Sequence, residues 1–302
     1  MPSQADSIIP AMAKTLLLAA LLAAGITAAC STPADDAAPV ATPTLTLSKA
    51  EAAVGSPIDI TYTFVVAPDA PVFTEDFLVF VHFISADGEL MWTDDHRPAT
   101  PTTQWKPGAT ITYGRTVFVP KFPYTGDVVV NAGLYSPQSN TRAALAGEGV
   151  GGRAYRVGRF RLTPQTDNLF VVYKDGWHAP EVADEGRLEW QWSKQQGVVS
   201  FRNPKRDVTL MVQLDMPVPA FTEPQRVDIR LGPAVVDTFA LASREQAVRR
   251  IPLTAAQLGD GETVEISVAP DRTFVPATVP ALKSGDGREL GVRVFRVYVE
   301  PK

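Results

Sequence analysis

The chain has 302 residues and a formal net charge of −5, so it lacks the basic surplus that a nucleic-acid partner demands. Its single cysteine, Cys30, excludes an intramolecular disulfide and a thiolate metal centre, and three histidines (His82, His96, His178) are too few for a His-rich one. Twenty-six prolines oppose long helices and suit short strands joined by turns.

The first element is an export address. An apolar run from Thr15 to Ile26 follows Lys14. It is too short to span a hydrocarbon core, which needs about 20 residues, and has the length of a signal-peptide core. Met1 to Ala11 holds Asp6 and no positive charge, whereas Met12-Ala13-Lys14 makes a good leader, so translation is expected to begin at Met12. Thr27-Ala28-Ala29-Cys30 resembles the lipobox of bacterial lipoproteins, departing from it at Thr27, where Leu is usual. That resemblance implies a signal peptide over 1–29 and a lipid, palmitate included, on Cys30 that holds the chain to a membrane. Ser31 after the cysteine favours the outer membrane of a bacterial cell envelope. A plain secretory signal with an incidental cysteine is the alternative. Residues 30–45, rich in Ala, Pro, Thr and Asp and without apolar periodicity, are expected to form a disordered tether.

From Leu45 the pattern is period-2 alternation of β-branched and aromatic residues. Ile58–Phe64 alternates cleanly, Phe77–Ile84 is more continuously apolar, and Asp87-Gly88 marks a hairpin into Leu90-Met91-Trp92. Segments around Thr110–Val119, Asp127–Tyr135 and Tyr155–Leu162 complete about seven strands, which predicts an immunoglobulin-like sandwich over 46–163. A polar break with Pro164 follows. Eight or nine further strands, from Leu188–Trp192 to Leu290–Val299, predict a jelly-roll-like sandwich over 168–302. The expected fold is therefore all-β, two tandem antiparallel β-sandwiches. One helical turn, Thr254–Leu258 closed by Gly259, interrupts the second.

Short motifs carry two further resemblances. Val79-Phe80-Val81-His82, Trp105-Lys106-Pro107-Gly108 and Gly133-Leu134-Tyr135-Ser136-Pro137 resemble sandwich modules with a "VFVH" strand, a "W-x-P-G" loop and a "GLY-x-P" hairpin. Gly176–Glu181, Glu189-Trp190-Gln191-Trp192 and Asp286–Val292 are similar to a C-terminal β module of some bacterial membrane glycosyltransferases and polysaccharide-related envelope proteins. The second resemblance implies sugar-related envelope work and transfers no catalytic residue.

Candidate sites are few. Trp92-Thr93-Asp94-Asp95-His96 joins two carboxylates to an imidazole, but neighbours on a strand point to opposite faces, so a solvated loop is expected there. His82, inside an apolar strand, reads as a core or interface residue. Trp177, His178 and Glu181 sit in a Gly/Pro-bounded loop, and Trp190 and Trp192 share one strand face. Flat indole with a few directed polar groups is what a sugar ring needs, and equally what a sandwich core contains. Glu181 with Glu185 or Glu189 is a weak glycosidase pair. Lys205-Arg206 and Arg249-Arg250 read as solvated strand ends. No cofactor, metal or catalytic motif is found.

The function expected is non-catalytic binding of a glycan or other envelope component by a membrane-anchored lipoprotein. The alternative is an assembly role that docks an envelope protein by strand addition, and a hydrolase with an unrecognised site comes third. Replacing Cys30 with Ser is expected to abolish incorporation of labelled palmitate and release the protein from the membrane fraction; retention of both would exclude the lipid anchor.

Overall fold

A computed structural model describes residues 37–120, 124–165, 169–183, 188–216, 220–242 and 246–302. The signal segment, Met12, Cys30 and Glu185 lie outside the described residues. The first sandwich comprises β1 (Ala41–Leu47), β2 (Glu51–Ala53), β3 (Pro57–Val66), β4 (Leu78–Ser85), β5 (Leu90–Thr93), β6 (Thr110–Phe118), β7 (Gly126–Ser136), β8 (Thr141–Arg142), β9 (Glu148–Gly151) and β10 (Ala154–Thr163). One sheet is ordered β1-β3-β6 and the other β2-β10-β7-β4-β5. The chain starts in one sheet, where β1 runs antiparallel to β3, then crosses so that β2 pairs parallel with β10. This split first strand, with β3 and β6 on one side and β10, β7, β4 and β5 on the other, is immunoglobulin-like.

Alternation builds the core. Ile58, Ile60, Tyr62 and Phe64 of β3 face inward against Val79, Val81 and Phe83 of β4 and Val128 and Val130 of β7. The sandwich begins earlier than composition suggests. Residues 41–45 are strand rather than tether, with Ala41 paired to Val66 and only 1% exposed. Pro43 misleads the eye, yet β1 is an edge strand and an edge tolerates a residue without an N–H.

The sequence motifs acquire physical reasons. Trp105 is buried against Phe64 and Phe73, its N–H donating to the Thr100 carbonyl at 2.8 Å, and Gly108 turns the chain at φ 76°. Gly133 lies beneath the Phe80 ring, which the Arg142 guanidinium covers from 4.4 Å. A Cβ at position 133 would lie 2.3 Å from that ring and 2.7 Å from the Arg153 carbonyl.

The second sandwich comprises β11 (Val172–Tyr173), β12 (Glu181–Ala183), β13 (Leu188–Trp192), β14 (Gly197–Arg202), β15 (Val208–Asp215), β16 (Gln225–Leu231), β17 (Ala234–Leu241), β18 (Ala247–Leu253), β19 (Thr263–Pro270) and β20 (Arg293–Pro301). Its sheets are ordered β11-β14-β19-β16-β17 and β12-β13-β20-β15-β18. With β13 to β20 lettered B to I, these read C-H-E-F and B-I-D-G, the two nested Greek keys of a jelly roll. The helical turn α1 (Ala255–Leu258) carries a capping box between Thr254 and Gln257 and ends at Gly259.

Residues 38–302 form one unit, and its two cores are separate clusters. Polar and aromatic contacts join them. Arg250 bonds Asp59 and Thr116, so it is an inter-sandwich contact rather than a solvated strand end. Lys49 pairs with Glu300 at 2.7 Å, and Phe118 meets both the Tyr298 ring and the Arg296 guanidinium.

Gly133→Ala is expected to destabilise the protein by about 1–3 kcal/mol through overpacking against Phe80, read as a lower urea midpoint. An unchanged midpoint would mean that the ring moves aside freely.

Candidate functional site

The C-terminal strand β20 places the functional side chains. Val292 and Val294 point into the core, so Arg293 and Phe295 between and beyond them point out. Leu214 pairs with Val294 but Gln213 with Arg296, which leaves Phe295 as the extra residue of a bulge. The bulge switches parity, and Val297 and Val299 continue the core beyond it. Cross-strand pairing then brings Trp192, Arg293 and Asp215 into one row on the outer face, with Glu181 and Trp190 paired beside it.

Arg293 is the centre of this face. Its Nε donates to Asp215 Oδ1 at 2.9 Å and its Nη2 to Asp215 Oδ2. Its guanidinium carbon lies 5.0 Å from the Phe295 ring centre, 5.2 Å from Trp190 and 5.8 Å from Trp192. The Asp215 side chain is 1% exposed and that of Arg293 27%. The bidentate bond compensates a carboxylate that burial would otherwise strand.

The aromatic surface continues past Trp192. Phe274 packs edge-on to it at 5.9 Å, Phe221 to Phe274 at 5.7 Å, and the Arg272 guanidinium sits 5.0 Å from Phe221. Trp190, Trp192, Phe295 and Phe221 are all partly open to solvent. The Trp190 N–H is covered but has no acceptor among the described residues.

A polar border closes one side. Arg288 donates to Glu181 at 2.7 Å and chelates Asp286 with Nε and Nη2. These bonds hold the Asp286 carboxyl down at about 2 and push the Arg288 guanidinium up. The His178 backbone N–H bonds the Trp192 carbonyl, and its ring Nε2–H donates to the Glu289 carbonyl at 2.8 Å.

Of the residues singled out from sequence, Glu181, Trp190 and Trp192 thus share this face and His178 borders it. Trp177 does not join them. Its ring packs against the sandwich core and Tyr173, and its N–H donates to the Val198 carbonyl at 2.7 Å. Gly197 makes the room, because a Cβ there would lie 2.5 Å from the indole. Glu181 pairs with Trp190 and Glu189 with Val182, so the two carboxylates point to opposite faces and do not converge. Arg293, Asp215, Phe221 and Phe274 were not singled out. For Arg293 the signal in the sequence is the alternation Val292-Arg293-Val294-Phe295, which sets a cation and a ring on the same side.

The other outer face of the sandwich carries a cleft of about 230 Å³ lined by Gln195, Gln196, Arg226, Asp228 and Arg230 among others. None of its lining residues is aromatic, and Arg230 is already paired to Asp228 at 3.0 Å.

Asp94 and His96 in the first sandwich are a buried network rather than a solvated loop. Tyr62 donates to Asp94 Oδ2 at 3.0 Å, and Arg115 chelates the same carboxylate at 2.8 and 2.9 Å. His96 Nδ1–H donates to the Asp94 carbonyl at 2.6 Å, and Nε2 accepts from Tyr113 at 2.8 Å. Asp95 turns the other way and accepts the Val81 N–H. Every polar partner here is internal, so the network holds structure. Burial keeps His96 below its usual range and pushes both tyrosines well above theirs. His82, half-buried beside Phe80, is also lowered by burial.

No family model matches the chain, and no curated relative does. Among solved structures, the N-terminal tandem CBM22-1–CBM22-2 domains of Paenibacillus barcinonensis Xyn10C align over 82% of this chain and 79% of theirs, at 10% identity and TM-score 0.25. The M60 catalytic domain with two CBM51 domains from Clostridium perfringens ZmpB aligns over 80% of this chain and 34% of that one, at 7% identity and TM-score 0.23. The GH115 4-O-methyl-α-glucuronidase BtGH115A aligns over 49% and 20%, at 16% identity and TM-score 0.31. None of these alignments is close enough to transfer a residue or a ligand.

The first-sandwich network dictates a pH response. Unfolded His96 binds a proton below about 6.5 and the folded one resists it, so stability falls as pH drops below that value. Unfolded tyrosines ionise above about 10 while Tyr62 and Tyr113 stay protonated, so stability also falls above it. Urea midpoints across pH and the imidazole NMR titration of His96 check both arms. A folded His96 titrating at or above 6.5 would contradict the acid arm.

Proposed function

We infer that this chain is a non-catalytic, lipid-anchored protein of the bacterial cell envelope that binds a glycan on the outer face of β13 and β20. The observation that carries this reading is the Arg293 guanidinium, locked to buried Asp215 and ringed by Trp190, Trp192 and Phe295. Indole and phenyl faces supply flat apolar area for the C–H side of a pyranose ring. The Arg293 Nη1 hydrogens, which Asp215 does not engage, are donors for its hydroxyls.

The face is ordered before any ligand arrives. Strand pairing fixes the ring positions and a two-point ion pair fixes the guanidinium, so binding loses little side-chain entropy. The nearest carboxylates, Glu181 and Asp286, are held by Arg288, and Asp215 by Arg293, so none of them is poised to move a proton. Cys30 with its lipid would keep this surface at a membrane, in an envelope where polysaccharide is abundant.

The test is titration of the full chain with a panel of polysaccharides, followed by tryptophan fluorescence. Trp192→Ala is expected to weaken binding by about tenfold, or ~1.4 kcal/mol, the effect of losing about 60 Å² of apolar contact. Its urea midpoint should stay near that of the parent. Trp177→Ala should instead lower stability by about 3–5 kcal/mol as a core truncation. Saturable binding indifferent to Trp190, Trp192 and Arg293 would place the site elsewhere, and no binding to any polysaccharide would overturn the reading.

A further inference from the structure

We propose that the saccharide taken by this face is uncharged, an inference that rests on the glycan-binding reading and narrows it to a ligand class. The argument is the charge balance of the surface. Guanidiniums are what a uronate or phosphate would seek, and three stand on or beside the aromatic surface. Each already has a carboxylate. Arg293 is chelated by Asp215, Arg288 by Asp286 with Glu181 added, and Arg272 has Asp271 at 3.6 Å. Among these residues the acids outnumber the bases, so an acidic polymer meets none of the three guanidiniums unpaired. The net charge of −5 on the whole chain adds to that repulsion.

What the face offers instead is apolar area with neutralised donors and acceptors. A hydroxyl can accept from the partly open Arg293 and donate to the partly open Glu181 or Asp286, which a second carboxylate cannot do. Three partly open rings, Trp190, Trp192 and Phe295, lie 5.0 to 5.8 Å from the guanidinium and suit a ligand of more than one ring. The Arg288–Asp286 pair also persists in acid, because the Asp286 carboxyl is held at about 2.

The experiment pairs each neutral polysaccharide with its own carboxymethylated derivative, titrated against the full chain at low and high salt. The expected result is binding to a neutral polymer that changes less than about twofold between about 0.05 and 0.5 M salt. Its carboxymethylated form should bind at least about tenfold more weakly at low salt, the gap closing as salt screens the repulsion. Tighter binding of the carboxymethylated form, lost at high salt, would overturn this inference and leave glycan binding standing. Failure of both forms across the panel would overturn the glycan reading and this inference with it. The exposed double variant Glu181→Gln/Asp286→Asn frees Arg288 without touching the core. It should gain affinity for the carboxymethylated form by about threefold or more at low salt; an unchanged preference would show that the paired acids do not set the selectivity.

Discussion

The register of the C-terminal strand against its two neighbours is the constraint on which the rest of the second sandwich depends. β20 lies between β13 and β15, and a bulge at Phe295 resets its parity. Before the bulge Val292 and Val294 fill the core, and after it Val297 and Val299 do. A strand without the bulge would turn either the second pair of valines or the first out to water. Because the bulge absorbs one residue, β20 keeps a continuous apolar side and still presents Arg293 and Phe295 outward at one end and Tyr298 at the other. Those two outward groups serve different ends. The first makes the aromatic face, and the second packs on Phe118 of the first sandwich.

Each sandwich contains a buried aspartate chelated by an arginine among aromatic rings, and the contrast between them separates structure from binding. In the first, Asp94 receives Arg115 and Tyr62, while His96 and Tyr113 complete the chain of bonds. The stacked tyrosine rings, 5.3 Å apart, lie over a closed network in which donors and acceptors match. In the second, Asp215 receives Arg293, but the surrounding rings remain partly open. What distinguishes the second pair is its place on an outer face among partly open aromatic rings, where the proposed recognition would occur.

Much of the fold was legible because strand periodicity is local. The all-β class, the two sandwiches and the shared face of Trp190 and Trp192 all follow from alternation at i and i+2. What failed was whatever depended on distant partners. Pro43 made β1 look like tether because its edge position in the sheet is not written in its neighbours. Asp94 and His96 looked solvated because Tyr62 and Tyr113, which bury them, lie on other strands. Asp215 and Arg293 are 78 positions apart and meet only when β15 and β20 pair. Trp177 and Trp192 look alike in sequence, but a bridge between Trp177 and Ser193 and the bare Cα of Gly197 draw the first indole toward the core.

The same strand that carries the ligand face also fixes it to the rest of the molecule. Arg296, one residue beyond the bulge, sits over Phe118, and Glu300 near the end of β20 pairs with Lys49. Burial lowers the Arg296 guanidinium below its usual range, so this cation is held against its own desolvation by packing. Strand β20 thus connects the proposed binding face to the first sandwich through partly buried contacts. Under the proposed N-terminal tether, these contacts would couple the proposed binding face to the sandwich nearer the anchor.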